Sequence, residues 1–236
     1  VLRKSAALPF EVTGGLETVA VRIPNHPVAL ALLKAVALPV AAPSANRFTQ
    51  LSPTHSRHVE SDLGDAVDYI LEGGDAAVGI ESTILDLTGE RPSILRPGGL
   101  SREQLEQVLG PLTAESPEAP KVPGMHPLHY APRAKVELVK EDQLARRARE
   151  LAAQGARVGL LLHGATAESF NPGAGHSSPK VIRLGGDHTA VARGLYSALR
   201  ELDQQQVDVV LTTLPEAQGL GVAIADRLTK AAGSRR

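Results

Sequence analysis

Four short stretches of the 236-residue chain carry side chains suited to gripping charged ligands. In Thr18-Val19-Ala20-Val21-Arg22 the two-residue period of a strand puts Thr18 and Arg22 on one face, a hydroxyl beside a guanidinium fork shaped for a carboxylate or phosphate. Ala42-Pro43-Ser44-Ala45-Asn46, followed by Ser52-Pro53-Thr54, joins a strand-end turn to a hydroxyl-rich helix entry, where backbone N–H groups and hydroxyls can cradle an anion. Gly79-Ile80-Glu81-Ser82-Thr83 offers a glycine that lets a ligand approach the backbone, a hydroxyl at Ser82, and a carboxylate at Glu81 that would hold a metal or cap the strand. Arg96-Pro97-Gly98-Gly99 takes an arginine out of a strand into a glycine turn, a suitable phosphate contact. Taken singly, each reads more simply as a solvated arginine or ordinary turn chemistry. Together they supply hydroxyls, glycines and two arginines, with no dedicated general base. That inventory fits a polyanion bound beside a small zwitterion, with catalysis by positioning and charge stabilisation, as in nucleotidyl or phosphoryl transfer.

The elements that must position these residues follow from periodicity and punctuation. Residues 17–23 alternate and are rich in β-branched side chains, which predicts a strand ended by Pro24. His26-Pro27 opens an amphipathic helix through Val36, and short strands are predicted at 38–42, 68–71, 82–87 and 93–96. Thr54 is placed to cap a helix over 55–63, and Ser101 with Gln104 forms a capping-box pattern for a helix over 102–109. Residues 113–134 are proline-rich and lack apolar period, as a semi-rigid linker would be. From residue 135 onward strands (136–139, 157–162, 181–184, 207–211) alternate with helices (141–154, 189–202, 222–232). The expected architecture is therefore an α+β domain with a mixed twisted sheet over 1–112, a linker over 113–134, and a smaller α/β, Rossmann-like domain with a largely parallel sheet over 135–236. The last helix carries Arg227 and Lys230 among apolar positions, which reads as a packed helix with solvated charges.

Composition narrows the classes further. With 25 Lys+Arg against 26 Asp+Glu the net charge is -1, which excludes a globally basic nucleic-acid coat. There are no cysteines, so disulfides, Cys-based zinc sites and thiol nucleophiles are excluded, and a reducing compartment is the simple expectation. The most apolar stretch, 28–43, is broken by Lys34 and Pro39 and is too short to cross about 30 Å of hydrocarbon. No P-loop, HExxH or GxSxG is present. Gly219-Leu220-Gly221 lacks the third glycine of a dinucleotide fingerprint, and the eight histidines show no metal-ligand spacing.

Read in order, TVAVRIPNHP, APSAN, SPTHSRHVESDLG, ILEGG, GIESTILDL and ILRPGGL closely resemble the YrdC-like threonylcarbamoyl-AMP synthase family. HYAP after the proline-rich stretch, and the α/β half ending GLGVAIADRLTKAA, resemble the longer two-domain form of that enzyme. The resemblance spans essentially the whole chain. It implies a cytoplasmic nucleotidyltransferase that makes threonylcarbamoyl-AMP and pyrophosphate from L-threonine, bicarbonate and ATP. The product would pass to the machinery that installs threonylcarbamoyladenosine in tRNA. The resemblance further implies ATP contacts at Thr18, Ser44, Ser52, Arg96 and Tyr130, and threonine contacts at Arg22, Ala42 (through its backbone) and Ser82. It implies magnesium accompanying ATP, with no metal held by the protein and no side chain acting as a dedicated catalyst. For these roles Arg22, Ser44, Ser82 and Arg96 would have to surround a common hollow.

Two departures from the family pattern stand out. Arg47-Phe48-Thr49-Gln50 replaces the Ser-Gly pair common after SAN, removing a glycine near the phosphates. The family's upstream basic motif and substrate-binding threonine have no counterpart here, and Val1 opens a chain whose one methionine is Met125. The expectation is an N-terminally truncated chain, incomplete for activity. A noncatalytic YrdC-like RNA-binding module, contacting tRNA or double-stranded RNA, is the alternative. The linker and second half favour the enzyme.

Overall fold

Proline and glycine punctuate the first hundred residues so closely that regular elements stay short. The computed structural model describes residues 1–113, 120, 122–124, 129–169 and 179–233. Strand β1 (Leu2–Arg3) and helix α1 (Phe10–Thr13) precede β2 (Thr18–Val19), which pairs antiparallel with β1. Helix α2 (Pro27–Val36) starts on Pro27, whose fixed φ and missing N–H suit a first helical position. Helix α3 (Ser56–Leu63) follows. Strands β3 (Ile84–Asp86) and β4 (Ser93–Arg96) then form a second antiparallel pair. Helix α4 (Arg102–Leu109) opens with the reciprocal capping box expected from Ser101 and Gln104.

The expected mixed twisted sheet does not form among the described residues. Two separate two-stranded pairs stand in its place. The strand expected over 17–23 shortens to Thr18–Val19, and 38–42 and 68–71 form no strand. Their alternation marks a face suited to burial, but a strand exists only through ladder hydrogen bonds to a neighbour. Among the described residues no ladder joins 20–23, 38–42 or 68–71 to a neighbour. Val21, Ile23, Leu38, Val40, Tyr69 and Leu71 are accordingly exposed. Thr54 is not the cap of α3 either: that position falls to His55, and Thr54 turns its N–H to His58 Nδ1 at 3.2 Å.

The second half follows the sequence closely. Strand β5 (Lys135–Leu138), helix α5 (Leu144–Ala153), strand β6 (Val158–Leu162), helix α6 (Ala165–Ser169), strand β7 (Lys180–Arg183), helix α7 (His188–Gln204), strand β8 (Val209–Thr212) and helix α8 (Leu220–Ala231) alternate. The four strands pair in the order β5-β8-β6-β7, all parallel. Every residue of β6 and β8 is buried, as a sheet covered on both faces requires. The strand period of two divides them between two cores. Leu160, Leu162, Val209 and Leu211 pack with Leu144, Ala148 and Leu151 of α5. Leu161 and Val210 pack with Leu195, Leu199 and Leu202 of α7 and Ile224 and Leu228 of α8. Gly159 is required by the second face, where a Cβ would sit 2.9 Å from Leu202 Cδ2. Half of the linker expected over 113–134 lies outside the described residues.

Leu160 is fully buried in the α5 core. Leu160→Ala should cost about 2–5 kcal/mol in urea unfolding followed by circular dichroism. Val108→Ala, at an exposed site on α4, should stay within about 0.5 kcal/mol of the parent.

Candidate active site

The turn before β3 holds the centre of the site. Glu81 is nearly buried, its side chain 16% exposed, yet its carboxylate is fully engaged. Ser52 donates its hydroxyl proton to Oε1 at 2.6 Å, Tyr196 on α7 donates to Oε2 at 2.9 Å, and Arg227 on α8 donates Nε–H to Oε2 at 2.6 Å. Burial pulls the Glu81 carboxyl up, but the Arg227 charge and the Ser52 bond outweigh it and hold the group below its ordinary value. Burial, and then the Glu81 charge, push the Tyr196 and Tyr130 hydroxyls up, so both remain protonated donors at neutral pH.

Arg227 corrects the expectation of a solvated charge: it is 1% exposed. Its Nη2 donates to the Pro97 carbonyl at 3.0 Å, its Nη1 pairs with Asp226, and its guanidinium lies 4.7 Å from the centre of the Tyr130 ring. The signal was in the helical period. Ala223, Ile224, Arg227, Leu228 and Ala231 share the buried stripe, so Arg227 occupies a core position rather than the solvent face. Lys230 is likewise tied, to Asp226 at 2.8 Å.

Arg96, at the end of β4, is buried and directs Nε and Nη2 to the Ser82 carbonyl at 3.2 and 2.8 Å, with Nη1 on the Pro123 carbonyl at 3.2 Å. Gly98 packs so closely that a Cβ would meet the Glu81 carbonyl oxygen at 2.3 Å and Thr83 N at 2.4 Å. No other residue fits there, and Gly99 N–H donates to the Glu81 carbonyl at 3.1 Å. The backbone of 81–83 is thus pinned while the Ser82 side chain faces outward. Tyr130 is buried at a positive φ of 56°, stacked 5.9 Å from the Tyr196 ring.

The structure therefore brings Ser52, Ser82, Arg96 and Tyr130 together around Glu81. It does not bring in the other four expected residues. Arg22, Ala42 and Ser44 are exposed, and no hydrogen bond joins them to that cluster among the described residues. Thr18 is half-buried and lines a separate cavity of about 390 Å³ with Arg3, Lys4, Glu17 and Thr88. Of the two readings open for Glu81, holding a metal or capping the strand, the structure shows neither: its two oxygens are taken by Ser52, Tyr196 and Arg227. Among the described residues no group of three His, Asp or Glu side chains could hold a metal ion.

The second half clamps these loops. Arg200 on α7 grips Asp62 with two nitrogens at 2.9 and 2.6 Å, Thr54 Oγ1 meets Ser197 Oγ at 3.0 Å, and Arg193 donates to the Ala77 carbonyl at 3.1 Å. Gly79 rests on the α7 backbone, where a Cβ would lie 2.4 Å from the Ala192 oxygen. His129-Tyr130-Ala131 passes between the halves: His129 N–H donates to the Lys230 carbonyl and Ala131 N–H to the Thr49 carbonyl.

Residues 100–233 match the family described as threonylcarbamoyl-AMP synthase, C-terminal domain, and residues 1–98 the family described as telomere recombination. The chain is 40% identical to the threonylcarbamoyl-AMP synthase of Pyrococcus abyssi, over 100% of its own length and 70% of the relative. The chain belongs to the threonylcarbamoyl-AMP synthase family. The synthase of Bacillus subtilis is likewise 40% identical, over 98% of this chain and 68% of its own. A crystal structure of the Pyrococcus abyssi protein complexed with L-threonine superposes with a TM-score of 0.84 at 36% identity, covering 98% of this chain and 69% of that one. A variant of that protein with alanine at an adjacent histidine and tyrosine gives 0.83. Threonylcarbamoyl-AMP synthases are nucleotidyltransferases of tRNA modification. Among the described residues no helix is long and apolar enough to cross a membrane.

Two predictions follow from the loops that α7 covers. Burial, with the nearby Arg200 charge and His55, pushes the His58 imidazole down to about 4. The fold thus favours neutral His58, while the unfolded chain takes up a proton near 6.5. Stability should fall by roughly 1–3 kcal/mol as pH drops from about 6.5 to about 4, and His58→Gln should flatten that segment of a urea-midpoint-versus-pH curve. Thr49, a β-branched residue in the loop that lacks the family's glycine, has φ 67°. Thr49→Gly should raise stability by about 0.5–1 kcal/mol in the same assay.

Proposed function

We propose that the chain forms threonylcarbamoyl-AMP and pyrophosphate from L-threonine, bicarbonate and ATP, with its substrates held on the loops around Glu81. What carries this assignment is the meeting of Ser82, a threonine contact, with Ser52, Arg96 and Tyr130, nucleotide contacts, in one pinned cluster. The Ser82 hydroxyl faces out of that cluster toward threonine or its carbamate. Arg22, exposed and unpaired among the described residues, supplies the fork for the threonine carboxylate, beside the Ala42 backbone. Thr18 and Ser44 serve the nucleotide from their own loops. The Ser52 hydroxyl spends its one hydrogen on Glu81, so toward a phosphate it offers its backbone N–H.

In this mechanism the neutral threonine amine condenses with bicarbonate: the C–N bond of a carbamate forms, a C–O bond breaks, and water leaves. A carbamate oxygen forms a bond to the α-phosphorus of ATP, and the bond to pyrophosphate breaks in line. The carbamate is itself the nucleophile, so no side-chain base is needed at that step. Arg96, held beside Ser82, serves to offset charge developing on the phosphates, and the buried Tyr130 limits access of water. Magnesium, bound to the ATP phosphates rather than to a protein cage, would supply further neutralisation of the polyphosphate. The product then passes to the tRNA-modifying machinery. A noncatalytic RNA-binding module is disfavoured because the match to synthases includes the whole second half.

The test is pyrophosphate release from ATP. It should require both threonine and bicarbonate. Release indifferent to threonine would overturn the synthase assignment. Arg22→Ala should raise the threonine KM roughly 10–100-fold without moving the melting temperature, because Arg22 is exposed and makes no hydrogen bond or ion pair among the described residues. An unchanged KM would remove Arg22 from the threonine subsite.

A further inference from the structure

The second half of the molecule contributes side chains to the centre of the site, although none of the eight expected substrate contacts lies on its sheet or helices. Glu81 is flanked in sequence by Ser82 and bonded in space to Ser52, one contact for each substrate. Among the described residues no cation of the first half forms an ion pair with it. Its cation is Arg227 on α8, and its strongest neutral donor beside Ser52 is Tyr196 on α7. Both are 1% exposed, and both are locked. Arg227 is held by Asp226, the Pro97 carbonyl and the Tyr130 ring, and Tyr196 by its stacking on Tyr130. Residues so fixed can hold the Glu81 side chain, and with it the Ser82 that follows, in register with the backbone contacts made by Arg96, Gly98 and Gly99.

We propose that Arg227 and Tyr196 are positioning residues for the synthase reaction: by seizing the Glu81 carboxylate they fix the orientation of Ser82 and so the geometry in which threonine is held. The inference rests on the threonine role assigned to Ser82. It gives the α/β half a part in substrate binding as well as in stability. The threonine side of the site depends on this clamp more than the nucleotide side, because Ser52 keeps its own bond to Glu81 when a helix donor is removed.

Tyr196→Phe is the decisive variant, since it deletes one hydroxyl and keeps the ring stacked on Tyr130. Arg227→Lys keeps the charge and loses the fork. Tyr69→Phe, on a side chain 90% exposed, is the control. Threonine-dependent pyrophosphate release and calorimetric threonine binding without ATP are measured together with melting temperature. Loss of one donor to a buried carboxylate should weaken threonine, in KM and in Kd, by about 10-fold in Tyr196→Phe, leaving the ATP KM within about twofold. Arg227→Lys should shift the same two quantities in the same direction, and Tyr69→Phe neither. Threonine constants in Tyr196→Phe equal to the parent's would overturn the proposal. So would threonine and ATP constants that worsen together in step with a lowered melting temperature, the mark of a purely structural role. A parent chain that releases no pyrophosphate would instead defeat the synthase assignment, and the calorimetric comparison would still decide whether the clamp governs threonine.

Discussion

A carboxylate taken out of water must find its balancing charge inside the protein, and Glu81 finds it 146 residues further along the chain at Arg227. Removing one partner of such a buried pair typically costs about 3–5 kcal/mol, because the other is left charged and dry. The remaining features of the site make sense around that constraint. Ser52 and Tyr196 complete the hydrogen bonding of the two oxygens, Gly98 lets the backbone come close enough, and Tyr130 covers the guanidinium. The pair also settles how the two sequence halves meet, since neither ion tolerates solvent-poor surroundings without the other.

The contact between halves is therefore part of the site rather than a joint beside it. Leu51 and Tyr130, next to the expected substrate contacts, belong to the same apolar core as α7 and α8. Arg200 ties Asp62 and the Leu51 carbonyl to α7, and Gly79 lets the loop lie on the α7 backbone. This tight zone contrasts with the rest of the first hundred residues, where large apolar side chains such as Ile23 and Tyr69 stand in solvent.

The α/β half was legible because its evidence is local. Unbroken apolar runs such as 158–162, helix stripes of 3.6 period and the Ser101 cap need no knowledge of distant residues. The strands expected at 17–23, 38–42 and 68–71 depended on partners, and alternation in one segment says nothing about whether a neighbour pairs with it. At the site, the family motifs led to Ser52, Ser82, Arg96 and Tyr130, which do meet. They led also to Thr18, held in the outlying β1–β2 pair, and to Arg22, Ala42 and Ser44, whose segments form no regular structure that draws them inward. Arg227 went unnoticed as a site residue because its type suggested solvent, and Tyr196 because no motif singles it out within its helix. The ion pair that unites them with Glu81 spans a separation no window of sequence covers.

The strand order β5-β8-β6-β7 has a bearing on how the molecule comes into being. β5 has no neighbour until β8, more than seventy residues later, slides in between it and β6. During synthesis the apolar edge of β5 must wait for that insertion, and the counter-ion of Glu81 emerges later still. The cluster around Glu81 can thus close only after α8 has been made, and until then the incomplete fold carries the unpaired edges and apolar surface that invite chaperones and aggregation.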